Sequence, residues 1–210
     1  MRGSRSDFGP LAVAIASGGA VVFNVGFRAG EVRRPGSVED AACAVRFARS
    51  KGPSHGGDPA RITPFGLSAG AVVGALVALA GDRFDGDCTV SGTSALPAAL
   101  VAVTGPYDPA LVPGDPRPAL RETDPVRFAA LNPFSHLGGN PSLRVSLLHG
   151  ADDTDVPPEG SIRFHEALTA AGYVSTLSIL EGLGHEIPRP DSRAFDAVVR
   201  ETLKVASAEH

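Results

Sequence analysis

Apolar residues recur along this chain in two rhythms, one suited to buried strands and one to helices. Residues 10–18 predict a short helix, and after Gly18-Gly19 the run Ala20-Val-Val-Phe-Asn-Val25 is apolar enough for a strand covered on both faces. Ser37-Val-Glu-Asp40 has the form of a capping box, and Val38, Ala41, Ala42, Val45 and Ala48 then share one helical stripe that stops before Gly52. A second strand and helix follow, the strand within Arg61-Ile-Thr-Pro-Phe-Gly-Leu67 and the helix over 69–80. That helix is apolar all round (Val72, Val73, Leu76, Val77, Leu79), the pattern of a buried helix.

Ala98–Thr104 is the next expected strand. Between Gly105 and Asn140 the periodicity dissolves into Pro, Asp and Arg, too long for an ordinary connection, so a short cap or lid is expected around 106–140. Regularity returns with a strand at Leu143–Leu148, a helix from about Pro158 to Ala171, a strand at Val174–Leu180 and a helix from Asp191 to about Ala206 that turns Phe195, Val198, Val199 and Leu203 inward. Five strands alternating with helices imply one α/β domain over 1–210, with a parallel sheet and right-handed crossovers.

Composition narrows the functions. The chain has 210 residues, 43% of them hydrophobic, which is enough for a single full core. A net charge of −4 with no basic run gives no footprint for nucleic acid. No stretch is long and apolar enough to predict a membrane span, and no export signal is read at the start. Cys43 and Cys88 show neither metal nor redox spacing and are expected as reduced thiols, which suggests a cytoplasmic protein. Asp82, Asp85 and Asp87 lack the spacing of a calcium loop and are expected to be a solvated acidic loop. No metal or cofactor is expected.

The chemistry gathers at Gly66-Leu67-Ser68-Ala69-Gly70. This G-x-S-x-G lies between a strand and a helix, where a sharp turn exposes a serine hydroxyl, so Ser68 is the candidate nucleophile. A crowded turn of this kind is expected to exclude side chains at both glycines. A serine nucleophile needs a base and an acid that orients it, expected just past the carboxyl ends of later strands. Two loops qualify, His149-Gly-Ala-Asp-Asp-Thr-Asp-Val-Pro157 and Glu181-Gly-Leu-Gly-His185.

Asp58-Pro-Ala-Arg-Ile62, Gly66–Gly70, His149–Pro157 and Gly182–His185 together resemble D-P-x-R-I, G-x-S-A-G, H-G-x-x-D-x-x-V-P and G-x-x-H of bacterial esterases and lipases. The resemblance is to the α/β-hydrolase superfamily, close to its carboxylesterase and hormone-sensitive-lipase-like group, and it extends over nearly the whole chain. It implies that Asp153 is the acid, with Asp152 and Asp155 as rivals, and that His185 is the base. Ser68 would attack an acyl carbonyl, His185 would take its proton and return it to the leaving alcohol, and Asp153 would hold the imidazole. His149 is expected to brace its loop. His55, His136, His165 and His210 are expected to be surface or satisfied histidines.

Acyl transfer also needs two N–H donors for the oxyanion. The backbone N–H of Ala69 supplies one. The family draws the second from an H-G-G-type motif that is not in its place here. The likeness begins just downstream, with Gly3-Ser-Arg-Ser-Asp7, so an N-terminally abbreviated member is expected. His55-Gly56-Gly57 and Ser17-Gly18-Gly19 have some of the right letters in other positions. Ala71 stands where many relatives have a further glycine. The family's absent strand would lie between the Ala20–Val25 strand and the elbow strand, which fits Pro64 inside the latter.

The expected function is hydrolysis of small, short-acyl carboxylic esters, with a small-molecule ester as partner, slow turnover, and a two-fold dimer closing the gap in the sheet. A catalytically weak or inactive binding protein is the alternative, and a peptidase or amidase a lesser one.

Overall fold

Four of the five expected strands form in the computed structural model, which describes residues 5–28, 35–111 and 125–208. They are β1 (Phe65–Leu67), β2 (Ala99–Val103), β3 (Arg144–Gly150) and β4 (Val174–Leu180), all parallel, side by side in the order β1-β2-β3-β4. Register runs Leu67 to Val103, Val103 to Leu148 and Leu148 to Ser178 across the sheet.

The alternation of a strand sends successive side chains to opposite faces. Leu100 and Ala102 of β2 join a core with α2 (Gly36–Lys51), α3 (Ala69–Ala80) and α5 (Glu159–Ala170). Val101 and Val103 join a second core with α1 (Gly9–Ser17) and α6 (Arg193–Ser207). Both faces of β2 are therefore covered, which is why it reads as an unbroken apolar run. A short helix, α4 (Pro125–Ala130), lies in the expected cap; residues 112–124 of that cap, Gly3 and Ser4 of the first motif, and His210 lie outside the described residues.

The Ala20–Val25 strand is a correction. Residues 20–28 run without regular structure. Ala20 and Val22 rest against the α1–α6 core, Phe23 meets Phe47 edge-on at 5.6 Å, and Val21, Val25 and Phe27 are exposed. Hydrophobicity drives such a run toward the body of the protein, but a strand also needs a ladder partner, and β1 pairs with β2 alone among the described residues. Pro64 precedes β1 rather than interrupting it, and its carbonyl accepts from Val101 N–H at 3.0 Å. Nor does Ser37 cap α2: the helix begins at Gly36 with no side-chain cap, and Ser37 is buried in its first turn.

The cysteines are also corrected. Cys43 of α2 and Cys88, beyond α3, form a disulfide with Cα atoms 5.4 Å apart, so neither is a reduced thiol. Nearly one turn along α2, the buried Arg46 donates to the Phe84 and Thr93 carbonyls and to Asp85 at 2.7 Å, while Asp82 accepts from Ser94 and Ala95. The acidic loop is thus tied down rather than merely solvated. Spacing could not reveal the pairing, because the two cysteines are 45 residues apart and only the packing of α2 beside α3 brings them together. Closing a loop of that size restrains the unfolded chain by about 4 kcal/mol in the chain-entropy account. Cys43→Ser/Cys88→Ser should therefore lower the urea midpoint correspondingly; a loss below about 1 kcal/mol would mean that Arg46 alone holds the loop.

Candidate active site

The chain leaves β1 at Leu67 and enters α3 at Ala69, so Ser68 makes the whole turn. It does so at φ 55 and ψ −121, a left-handed φ that non-glycine residues seldom adopt and that persists only where surrounding structure enforces it. Two bonds anchor it: Ser68 N–H donates to Val103 O at 2.9 Å, and Ser68 O accepts from Ala71 N–H at 2.9 Å. A Cβ on Gly66 would collide with the Gly70 carbonyl, which explains the first glycine. The second glycine differs from expectation, since a Cβ on Gly70 would meet open space.

β2 ends in the same way. Thr104 has φ 46, is fully buried, and donates its N–H to Leu148 O at 2.9 Å. Its hydroxyl and that of the buried Tyr107 have no hydrogen-bond partner among the described residues. Burial pushes the Tyr107 phenol far up, so it stays protonated. Nothing in the sequence signals Thr104, because threonine is not a residue from which a left-handed turn is read.

Ser68, His185 and Asp153 meet although they come from three separate loops. Ser68 Oγ lies 2.8 Å from His185 Nε2, and His185 Nδ1 lies 2.8 Å from Asp153 Oδ2. The Asp153 side chain is fully buried, whereas that of His185 is 20% exposed, so the imidazole borders solvent and the carboxylate does not. With Asp153 ionised, Nδ1 carries the proton and Nε2 presents its lone pair to the serine hydroxyl.

The acid and histidine loops are stapled to one another. Asp152 N–H donates to Leu183 O at 3.1 Å, the Asp152 carboxylate accepts from Gly182 N–H at 3.0 Å, and Gly150 is so close to the Leu183 carbonyl that no Cβ would fit. The rival aspartates are both exposed; Asp152 takes the role just given, and Asp155 offers Asp153 its backbone N–H. His149 is buried against Ser161 and Val156, His136 is held by the Ala130 carbonyl and His165 by Ser175. His55 lies edge-on to Phe23 at 6.2 Å.

Ala69 opens α3, where the first N–H groups of a helix have no intrahelical acceptor. The two glycine pairs have no N–H to spare. Gly56 and Gly57 donate to Pro53 and Gly52, and Gly18 and Gly19 donate back into the end of α1. Among the described residues no cluster of three or more His, Cys, Asp or Glu could hold a metal ion, and no helix is long and apolar enough to cross a membrane.

Comparison with known proteins agrees with this architecture. The BD-FAE family model matches residues 2–168. No curated protein matches the chain in sequence. A truncated carbohydrate esterase from gut microbiota superposes with a TM-score of 0.79 at 21% identity, over 95% of this chain and 79% of that one. An acetyl ester-xyloside bifunctional hydrolase from Caldicellulosiruptor lactoaceticus gives a TM-score of 0.74 at 25% identity, over 93% of this chain and 74% of that one. Esterase 2 of Thermogutta terrifontis, in a form phosphoramylated by tabun, gives a TM-score of 0.75 at 26% identity, over 97% of this chain and 77% of that one. The same esterase with butyrate bound gives a TM-score of 0.77. With a parallel sheet, a serine turn after β1 and a family match across residues 2–168, the chain has the α/β-hydrolase fold and belongs to the BD-FAE family.

Proposed function

We propose that the chain is a carboxylic ester hydrolase in which Ser68, His185 and Asp153 form a catalytic triad and small, short-acyl esters pass through an acyl-enzyme. The observation that carries this is the unbroken run from Ser68 Oγ through His185 to the buried Asp153, each step 2.8 Å long. His185 Nε2 takes the hydroxyl proton as Ser68 attacks the acyl carbon, then returns it to the departing alcohol; water repeats the sequence on the acyl-enzyme. Asp153 stabilises the imidazolium without itself taking the proton. The Ala69 N–H faces the developing oxyanion. Similarity supports the reading: esterase 2 is covalently modified by tabun and binds butyrate, and two relatives act on carbohydrate or acetyl esters, which favours an acylated sugar as the alcohol partner.

One observation favours weak catalysis, or a binding role, as a second reading. The backbone donors of His55-Gly56-Gly57 and Ser17-Gly18-Gly19 are spent on their own turns, which leaves the second oxyanion donor unassigned among the described residues. A fluorophosphonate probe separates the readings, since only an activated serine becomes labelled. An unlabelled Ser68 in folded protein would sink the enzyme reading.

Residues 1–210 act as one domain, with the segment around 106–140 capping the site. A dimer closes the sheet. The outer edge of β1 is unpaired among the described residues, and Val21, Val25, Phe27 and Phe47 are exposed, apolar surface suited to a second copy of the chain. Sedimentation equilibrium at micromolar concentration should give twice the chain mass, and Val25→Lys, at an exposed position, should shift it to the monomer; monomer mass in the unaltered protein overturns the dimer. The cytoplasmic expectation rested on reduced thiols, and the Cys43–Cys88 bond favours a more oxidising compartment instead.

A further inference from the structure

The two oxygens of Asp153 are divided between separate tasks. Oδ1 accepts the backbone N–H groups of Asp155 at 3.0 Å and Val156 at 2.8 Å, while Oδ2 faces His185 at 2.8 Å. A second histidine approaches from the other side. His149 Nε2 lies 2.8 Å from the Val156 carbonyl and 3.4 Å from Asp153 Oδ2. Both of these are acceptors, so the proton of a neutral His149 sits on Nε2. Its Nδ1 then accepts from the Ser161 hydroxyl in the first turn of α5, at 2.7 Å. Burial pushes the pKa of His149 down and keeps it neutral.

Val156 is thus gripped on both sides of its Cα, its carbonyl by His149 and its N–H, one peptide unit earlier, by the carboxylate. We propose that His149, its ring oriented by Ser161, is a positioning residue for the reaction: by fixing the backbone at Val156 and flanking Oδ2, it keeps Asp153 turned toward His185. The inference rests on the triad reading above. Without the His149 donor, the buried Val156 carbonyl would lose its partner, and the backbone at Val156 would be held through its N–H alone. With Val156 less restrained, the shorter anchor of Oδ1 loosens and the carboxylate is less firmly turned toward the imidazole. A fold-level brace would need only volume at this position, whereas this one ends, bond by bond, on the acid and its anchor.

The test is kcat and KM for p-nitrophenyl acetate in His149→Leu, His149→Gln, Ser161→Ala and Asp153→Asn, with thermal unfolding as a check on folding. Leu keeps much of the bulk without a donor, and Gln can still donate to the Val156 carbonyl. Because small misplacements of catalytic groups cost up to about 10² in rate, His149→Leu should lose about tenfold in kcat with KM within about twofold, and His149→Gln should recover to within about threefold of the unaltered protein. Ser161→Ala, which removes the second hydrogen bond of the ring but keeps the imidazole, should lose about threefold. Unchanged kcat in folded His149→Leu, equal losses in Leu and Gln, or a loss confined to KM would overturn the proposal. If His149→Leu does not fold, an unaffected Ser161→Ala overturns it instead. Asp153→Asn keeps the two readings apart: full activity there overturns the triad and this inference with it, while a collapse beside an unaffected His149→Leu overturns this inference alone.

Discussion

Ser68→Ala and His185→Ala should each abolish hydrolysis of a short p-nitrophenyl ester while leaving the fold intact. Nucleophile and base act as a unit, so losing either costs on the order of 10⁶ in kcat, and losing both costs little more. The geometry sets this expectation, because Ser68 Oγ and His185 Nε2 are already 2.8 Å apart with no rearrangement needed. Alanine at position 68 still has to adopt φ near 55, so some strain remains, but among the described residues the hydroxyl bonds only to His185. The assay needs fluorophosphonate labelling alongside it: Ser68→Ala should lose the label outright and His185→Ala should slow it severely. Wild-type turnover in either variant would show that the ester is cleaved elsewhere.

Asp153→Asn should be the next most damaging change, at about 10⁴ in kcat, because an amide can donate to His185 Nδ1 and so favours the tautomer with its proton on the wrong nitrogen. The neighbouring aspartates supply the control. Asp152 is exposed, and among the described residues its carboxylate accepts only from the Gly182 N–H, a bond that the carbonyl of asparagine can still accept. The Asp155 side chain is exposed, and it is the backbone N–H of this residue that reaches Asp153. Asp152→Asn and Asp155→Asn should each stay within about threefold of the unaltered protein, as surface changes away from a buried network do. Comparable losses at all three positions would mean that the loop's total charge matters rather than one carboxylate.

These residues were legible in the sequence to different degrees, for physical reasons. The turn at Ser68 was readable because period-two and period-3.6 patterns meet there across a Gly-x-Ser-x-Gly, and α3 and β4 have the bounds that those patterns predict. The motifs after β3 and β4 also pointed to Asp153 and His185, which the fold brings together. Periodicity was insufficient at Ala20–Val25, where it reported avoidance of water and carried no information about a ladder partner. It was equally silent on the Cys43–Cys88 bond, on Ser161 beneath His149, and on the left-handed Thr104, each of which depends on which elements end up adjacent. Gly70 shows the reverse error: its place in the motif suggested crowding, yet the space around it is open, and the crowding belongs to Gly66, which abuts the carbonyl of Gly70.

The spatial order of the sheet repeats the order of the chain, β1 to β4, and this gives the site a direction in time. Synthesis delivers each new strand to the edge of one already made, so the sheet can widen stepwise without threading a late strand between earlier ones. The serine turn follows β1, the proposed acid follows β3, and His185 lies beyond β4. A ribosome-bound or prematurely ended chain therefore holds its hydroxyl with no base to activate it. With the triad proposed above, hydrolytic capacity would switch on only when the turn at His185 closes, sparing the surroundings of the growing chain from a half-built acylating centre.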